Sequence, residues 1–379
     1  MKSIYMDYAA TTPADPIVLQ KMLPCFTEHF GNPSSTHSFG REAQSKLREA
    51  RQLIAASLNC SPKEIYFTSG GTESDNLAIF GTARKYESGS HIITTRIEHP
   101  AVLSACKQLE SEGYQVTYLP VDKRGMVDPQ DVWTAIKPET VLISVMFGNN
   151  ETGTLQPIEE IGHIAREKGI AFHVDAVQAL GAEKIDLQQL PADLMSFSAH
   201  KIYGPKGTGI LYVSEKLTLL PLQFGGKQER KLRGGTENLP GIVGMAEAVR
   251  LISSELDAHK QHVLRMKKAM VDRLSQHLAD RFHINGDLEA SLPHILNISI
   301  PEVKADTMIM NLDLEGIAVS SGSACSSGSI QPSHVLQAMD LPPERVHSAI
   351  RISFGKYTTM DEVITVSDTI AAIVNRLRK

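Results

Sequence analysis

The sequence contains few cysteines, and none of them lie close together. The four are Cys25, Cys60, Cys106 and Cys325, and no two form a Cys-x-x-Cys pair. This spacing indicates free thiols, and it argues against a disulfide framework or a zinc site.

The sequence also lacks concentrated positive charge and long hydrophobic runs. Its formal net charge is −5 with acids and bases interspersed, which excludes the basic stripe typical of nucleic-acid-binding proteins. No run approaches the ~18 apolar residues of a membrane span, and residues 1–7 lack the apolar core of a signal peptide. We therefore expect a cytoplasmic protein that contacts neither nucleic acid nor a membrane.

The composition and the pattern of apolar residues are typical of a large α/β protein. Of the 379 residues, 42% are hydrophobic, which is enough for two or three domains or subdomains. Short apolar runs alternate with helical patterns, as in stacked βαβ units. Strands are predicted at 65–68, 92–95, 116–119, 141–146, 171–175, 194–198 and 209–213. Helices are predicted at 17–28, 42–58, 72–86, 102–112, 129–136 and 158–168.

The pattern changes after Pro240. Residues 242–278 predict a long helical region with one charged and one apolar face, and we place a domain boundary within it near Ala258. The rest mixes strands at 296–300, 319–321 and 349–353 with helices at 304–315, 333–339 and 360–378. We expect a large domain of residues 16–258 with a mostly parallel sheet, and a smaller α+β domain of residues 1–15 and 259–379.

A glycine-rich stretch joins the strand at 65–68 to the following helix. Its residues are Ser69, Gly70, Gly71 and Thr72. Glycine amides and a helix N-terminus together favour an anion such as phosphate, although Thr72 can equally be an ordinary N-cap. The stretch has neither the Gly-Lys-[Ser/Thr] of a P-loop nor the Gly-x-Gly-x-x-Gly of a dinucleotide site.

Other polar side chains follow neighbouring strands, where ligands of α/β sheets gather. Asp175 ends an apolar strand, with Gln178 shortly after it, and a buried carboxylate needs a cation such as a cofactor's ring nitrogen. His99 can stack on a flat ring and move protons near neutral pH. The ordinary alternatives are a surface acid, a capping histidine and, for the segment 147–153 that contains Asn150, a simple turn.

Lys201 directly follows another predicted strand, together with Ser198 and His200. A lysine at the mouth of a sheet can form a Schiff base if desolvation or a nearby cation lowers its pKa. The strand ends thus supply a phosphate site, an acid for a ring nitrogen, a stacking imidazole and an amine that traps an aldehyde. Pyridoxal 5′-phosphate (PLP) uses all four.

Two further features lie in the C-terminal part. Cys325 belongs to the Ser/Gly-rich segment 319–329, which predicts a flexible loop. Because this thiol lacks the apolar neighbours of a structural cysteine, we expect it to be exposed and reactive, with a plain linker as the alternative. Arg351 lies in an apolar run, where its guanidinium needs either a substrate carboxylate or an internal salt bridge.

The N-terminal part adds a polar turn at 31–35, which can cover the site.

In this order the motifs resemble the cysteine desulfurases of the NifS/IscS type, within the class V branch of fold-type I PLP enzymes. The resemblance covers essentially the whole chain, through the stretches at 5–12, 31–35, 70–76, 98–99, 149–151, 173–176, 198–201, 233–238 and 321–326. It implies the PLP-dependent transferase fold and an L-cysteine desulfurase that leaves alanine and a persulfide on Cys325. The long loop is similar to that of the family's first group, which hands sulfur directly to partners.

The resemblance also implies the roles of individual residues. Lys201 holds PLP and later acts as a base, His99 stacks on the ring and handles protons, and Cys325 attacks the substrate sulfur. The other cofactor contacts implied are Gly71, Thr72, Asn150, Asp175 on the ring nitrogen, Gln178, Ser198, His200 and, reaching the second subunit of a homodimer, Thr236. Arg351 and Asn32 are expected to hold the substrate carboxylate.

The partners that the resemblance implies are L-cysteine, a second copy of the chain and sulfur acceptors, which can be iron–sulfur scaffolds, tRNA-thiolating enzymes or thiamine-pathway carriers. No resident metal is expected, beyond transient ligation of an iron–sulfur cluster by Cys325 with a scaffold. Some relatives dock that scaffold through a further tail, whereas this sequence ends at Lys379, so the resemblance does not predict that mode of docking.

Two alternatives stay open at this point. One is another class V PLP enzyme, an aminotransferase or a selenocysteine lyase; an aminotransferase has no need of the thiol of Cys325. The other is a non-catalytic sulfur-assembly scaffold, against which the complete set of Lys201, Asp175 and His99 argues.

Overall fold

A computed structural model of the chain describes residues 3–321 and 332–377. Its strands are β1 (Ile4–Tyr5), β2 (Ile65–Thr68), β3 (His91–Thr95), β4 (Gln115–Leu119), β5 (Thr140–Ser144), β6 (Ala171–Asp175), β7 (Leu194–Ser198), β8 (Gly209–Val213), β9 (His283–Ile284), β10 (Ile295–Ser299), β11 (Ile317–Ala318) and β12 (Ala349–Ser353). Its helices are α1 (Pro16–Met22), α2 (Pro24–Thr27), α3 (Ser38–Ser57), α4 (Gly71–Ala83), α5 (Pro100–Ser111), α6 (Pro129–Ala135), α7 (Ile158–Lys168), α8 (Leu239–Ser254), α9 (Leu256–Leu278), α10 (Ala305–Leu314), α11 (His334–Ala338), α12 (Pro343–His347) and α13 (Met360–Leu377).

A seven-stranded sheet lies at the centre, in the order β2-β8-β7-β6-β5-β3-β4. Only β8 runs antiparallel to its neighbours in this sheet, so the predicted mostly parallel α/β fold is confirmed. Because β2 and β7 both oppose β8, they run in the same direction. The C-terminal ends of β2, β3, β5, β6 and β7 therefore meet at one side, which we call the C-terminal edge of the sheet.

Four strands of this sheet are buried along their whole length. Every residue of β3, β6, β7 and β8 is buried, as expected for a sheet with helices on both faces. Local signals set the helix boundaries. The Asp15 side chain accepts a hydrogen bond from the Ile17 amide at the start of α1, and α7 ends at Gly169, whose φ of 66° is left-handed.

A second hydrophobic core lies in the C-terminal part of the chain. The antiparallel sheet β12-β10-β9 packs with α9, α10 and α13 around Met270, Ile350 and Ile370, and Met6 from the N-terminal segment joins this core. Strand β1 also pairs in parallel with β11, with Ile4 opposite Ile317. The first residues of the chain thus pack on its last third.

Several element boundaries differ from those predicted. The helix predicted at 17–28 is divided into α1 and α2, because Pro24 has no amide hydrogen to continue α1. The region 242–278 is two helices that meet at Glu255. The strand predicted at 319–321 lies at Ile317–Ala318 instead, and β9 and α12 were not predicted. No helix among the described residues is both long and apolar enough to cross a membrane.

Candidate active site

A cavity of about 780 Å³ lies at the C-terminal edge of the sheet, within the size range of small-molecule sites. Segments that follow β2, β3, β5, β6 and β7 line it, together with the N-terminal segment and β12. The predicted site residues in its wall are Gly71, Thr72, His99, Asn150, Asp175, Gln178, Ser198, His200, Lys201 and Arg351.

Three predicted residues are not placed in this wall. Asn32 is exposed, and its Oδ1 accepts a hydrogen bond from the Ser34 amide at 2.9 Å. Thr236 is also exposed. Cys325 lies outside the described residues. The roles expected of these three residues stay predictions.

Lys201 ends a single turn, Ala199–Lys201, that directly follows β7. Its Nζ donates hydrogen bonds to the carbonyl oxygens of Ala9 at 2.5 Å and Ala10 at 2.8 Å. Burial, and secondarily the Arg351 guanidinium, lower the pKa of this amine to about 7. At neutral pH a large fraction of the amine is therefore uncharged and able to attack a carbonyl carbon.

Asp175 is the last residue of β6, and its carboxylate accepts a hydrogen bond from the Val177 amide at 3.0 Å. Burial raises the pKa of this carboxyl, while the nearby His99, the hydrogen bond from Val177 and the amine of Lys201 oppose the rise. Asp175 forms no ion pair within the described ranges 3–321 and 332–377. A buried carboxylate in a cavity wall without a cation fits a protonated ring nitrogen.

Bare backbone at the start of α4 forms a cradle for an anion. Gly70 has φ 152° and ψ −177°, a conformation that is essentially restricted to glycine. A Cβ added to Gly71 would come within 2.7 Å of Val177 Cγ2. The buried Ser198 lines the same cavity. Glycine amides, a helix N-terminus and a hydroxyl are the donors that a phosphate takes.

Two histidines in the wall are held in neutral forms. His99 caps α5, since its Nδ1 accepts from the Ala101 amide at 3.1 Å, and its neutral ring therefore carries the proton on Nε2. Burial lowers the pKa of His99. Burial and then Lys201 lower the pKa of His200 to about 4, and its Nδ1 lies 3.2 Å from Thr11 Oγ1.

Arg351 lies in the middle of β12 and is buried. Its guanidinium donates to Asp7 Oδ1 at 2.9 Å and to the Asn150 carbonyl at 2.7 Å. The internal salt bridge, left open as an alternative on the sequence, is thus present. Its Nε has no partner among the described residues. The side chain still borders the cavity.

Buried carboxyl groups beside the predicted residues were missed by sequence reasoning. Glu98 accepts hydrogen bonds from Thr95 Oγ1 at 2.7 Å and the Met146 amide at 3.0 Å, and burial raises its pKa to about 8. Asp75, on α4, lines the cavity, and burial and the charge of Asp175 raise its pKa. Their positions beside His99 and the glycine cradle were the signal available in the sequence.

Taken together, these features fit PLP. The amine of Lys201 can trap an aldehyde, the carboxylate of Asp175 suits a ring nitrogen, and the cradle at Gly70 and Gly71 suits a phosphate. Lys201, Asp175 and Gly71 all line one cavity.

Comparison with known proteins points in the same direction. The profile of the family "Aminotransferase class-V" matches residues 4–366. The chain is 52% identical over 379 residues to "Putative cysteine desulfurase IscS 1" of Bacillus subtilis (strain 168), and the match covers 100% of both chains.

Solved structures are similar as well. One named "NIFS-LIKE PROTEIN" aligns with a TM-score of 0.93 and 40% identity over 99% of this chain and 100% of that one. Another, "SspA in complex with cysteine", aligns with a TM-score of 0.84 and 39% identity over 94% of this chain and 100% of that one.

Proposed function

The chain belongs to the class-V aminotransferase family and is a PLP-dependent cysteine desulfurase, and on this basis we propose which of its residues perform the reaction. The observation that carries the proposal is the grouping of Lys201, Asp175 and the cradle at Gly71 around one cavity. PLP, when bound, supplies an electron sink for bonds at the carbon atoms of its amino-acid substrate.

We propose the cofactor contacts that the family resemblance implies. The phosphate is held by the cradle at Gly71 and by the side chains of Thr72, Ser198 and His200, and the ring nitrogen by Asp175. The phenolic oxygen is held by Asn150 and Gln178, and the ring face by His99. Lys201 provides the amine that binds the aldehyde.

Lys201 and His99 move the protons. A lysine whose pKa is about 7 can take a proton at neutral pH and return it, which is the requirement for a general base and acid. Its ammonium form is stabilised by the carbonyl oxygens of Ala9 and Ala10. His99, with Nδ1 occupied by the helix cap, exchanges protons through Nε2.

The substrate is L-cysteine, and we propose that Arg351 binds its carboxylate, assisted by Asn32. The hydrogen bonds of Arg351 to Asp7 and the Asn150 carbonyl hold the guanidinium in one orientation before substrate arrives, which reduces the entropy lost on binding. Cys325 then accepts the sulfur: an S–S bond forms on Cys325 as the C–S bond of the substrate breaks, leaving alanine and a persulfide.

Replacement of Cys325 tests this assignment. In Cys325→Ala we expect the production of alanine and sulfide from cysteine to fall by about three orders of magnitude or more, because the sulfur acceptor is gone. PLP should still bind with its yellow absorbance unchanged. The matched control is Cys60→Ala, since burial raises the pKa of the Cys60 thiol to about 12 and makes it unreactive. Sulfide production by Cys325→Ala equal to the parent's would refute the role.

We further propose a homodimer, in which Thr236 reaches the phosphate of the second subunit. Exposed apolar side chains near the N-terminus support it: Ile17, Leu19, Leu23, Phe26, Phe30 and Phe39. The persulfide is passed to a sulfur acceptor, either an iron–sulfur scaffold or a tRNA-thiolating enzyme.

Two predictions about organisation also belong to this proposal. The two separate cores support a large domain of residues 16–258 and a small domain of residues 1–15 and 259–379. The free thiols of Cys25, Cys60 and Cys106 support a reducing compartment such as the cytoplasm.

A further inference from the structure

His294 lies directly before β10 and has no role in the reaction as assigned above. Its Nε2 is 3.3 Å from Oε1 of Gln178. Both residues, together with Lys201, line a second cavity of only about 20 Å³. Gln178 also lines the main cavity, so this residue borders both cavities.

The direction of the hydrogen bonds at Gln178 follows from whether each partner can donate or accept a hydrogen. Gln178 Nε2 is 2.9 Å from the carbonyl oxygen of Ala9, and a carbonyl only accepts, so the amide nitrogen must face it. Oε1 of Gln178 therefore faces His294 and requires a donor. The reversed carboxamide would place two acceptors against each other at Ala9.

His294 can supply that donor in one tautomer. Burial, with the positive charges around it, lowers the pKa of His294 to about 3, so the ring is neutral and has a single N–H. With this hydrogen on Nε2 the ring donates to Gln178 Oε1; with the hydrogen on Nδ1 two lone pairs would face each other.

Ala9 extends this arrangement to the reactive lysine. Its carbonyl oxygen accepts from both Gln178 Nε2 and Lys201 Nζ, and its amide donates to Ser353 Oγ at 2.9 Å. Gln178 Nε2 has two hydrogens, and Ala9 takes one. The second is left for an acceptor in the main cavity.

We infer that His294 is a positioning residue that fixes the orientation of the Gln178 carboxamide, so that Gln178 presents an N–H, and not its oxygen, to the main cavity. The group that this N–H recognises is an anionic or acceptor oxygen, and the phenolic oxygen of PLP is of that kind. The inference rests on the proposed function, in which Gln178 contacts that oxygen.

A double-mutant cycle on PLP affinity tests the inference. Removal of the donor in His294→Leu should weaken PLP binding by about three- to tenfold, the effect of one hydrogen bond. In His294→Gln the amide nitrogen takes the place of Nε2, and affinity should return to within about twofold of the parent. His259→Leu is the matched control, because His259 lines the same small cavity and is not bonded to Gln178.

The decisive measurement is the effect of His294→Leu in a Gln178→Leu background. If His294 acts through Gln178, its effect disappears there, since the two changes are not additive. An equal loss in both backgrounds, or a loss in His294→Gln as large as in His294→Leu, overturns the inference. If Gln178→Leu binds PLP as tightly as the parent does, both the inference about His294 and the proposed role of Gln178 fail. If Gln178→Leu weakens binding while His294→Leu does not, only the inference fails.

The pH dependence of the visible absorbance of bound PLP gives a second readout. Loss of a donor to the phenolic oxygen should shift the midpoint of that change to higher pH in His294→Leu and Gln178→Leu alike. Unchanged midpoints in His294→Leu, with a shifted midpoint in Gln178→Leu, would overturn the inference. Far-ultraviolet circular dichroism of each variant reports whether the fold is kept, and His294→Phe replaces His294→Leu if it is not.

Discussion

At the scale of single residues, the reactivity of the site depends on how Lys201 is surrounded. Burial disfavours its ammonium form, and the Arg351 guanidinium adds to this, whereas Asp7 and Asp175 act in the opposite direction. Asp7 also forms the ion pair with Arg351 at 2.9 Å. The Asp7 carboxylate thus pairs with Arg351 and also raises the pKa of Lys201. The balance of these effects leaves the amine with a pKa of about 7.

The rate at which the apoprotein captures PLP should therefore depend on pH. Only the neutral amine attacks the aldehyde, so the rate should rise about tenfold per pH unit below the Lys201 pKa and level off above about pH 7. Mixing apoprotein with PLP between about pH 6 and 9, while following visible absorbance, measures this.

Asp7→Asn is the informative variant for that experiment. Because Asp7 raises the pKa of Lys201, its neutralisation should move the midpoint of the rate profile to lower pH. An unperturbed lysine has a pKa of about 10.4. A capture rate that still rises steeply above about pH 9 would show that the pKa of the Lys201 amine is not lowered in the protein.

At the scale of secondary-structure elements, the site is formed by loops that are brought together by the order of the strands. The anion cradle opens α4 after β2, and Val177 follows β6, yet the two come into contact across the sheet edge. Strand β7 carries Ser198 into the same region. The shape of the cradle therefore depends on elements that are about one hundred residues apart in the chain.

Gly71→Ala tests the cradle. The added methyl would meet Val177 Cγ2 at 2.7 Å, and such overpacking costs about 1–3 kcal/mol. We expect the affinity for PLP to fall by about tenfold or more with the fold retained, as measured by equilibrium titration of the apoprotein.

The chain offers its own control for this prediction. Val177→Ala removes the atom that the new methyl meets, so the double variant Gly71→Ala, Val177→Ala should recover most of the lost affinity. If the double variant binds PLP no better than Gly71→Ala, the loss has another cause than this contact.

At the scale of the whole molecule, one surface near the N-terminus is apolar. Leu23 is 64% exposed, Phe26 60% and Phe30 62%, and the ring of Phe30 contacts that of Phe39 at a centroid distance of 5.5 Å. Clustered exposed aromatic rings mark interaction surfaces in proteins. This surface is the one that we propose to be covered in the homodimer.

Phe30→Glu should weaken the dimer, because it places a charge on the apolar surface that association would bury. Light scattering is expected to give the mass of two chains for the parent and a lower mass for the variant. Leu314→Glu is the matched control: Leu314 is 80% exposed but lies on α10, and this variant should keep the parent's mass. Equal masses for all three proteins would contradict the proposed surface.

Much of the site was predictable because parallel strands place their C-terminal ends together. Asp175 ends, and Lys201 and His99 follow, a strand whose apolar run is visible in the sequence, and all three line the cavity. Strands β2, β6, β7, β8 and β12 have their predicted bounds. These features are decided by sequence patterns that each extend over only a few neighbouring residues.

The features that were not predicted depend on contacts between distant parts of the chain. The pair formed by Arg351 and Asp7 spans 344 residues, and that of His294 and Gln178 spans 116. Likewise, the exposure of Asn32 and Thr236 follows from how the chain packs and not from their motifs.

The chemistry of the site was therefore determined by residue type and by position at the ends of predicted strands, both of which are readable along the chain. Only the tertiary structure decided the protonation of Lys201 and the orientation of Gln178. The physical reason is that a pKa and a hydrogen-bond direction depend on burial and on every charge and acceptor nearby, wherever these lie in the sequence.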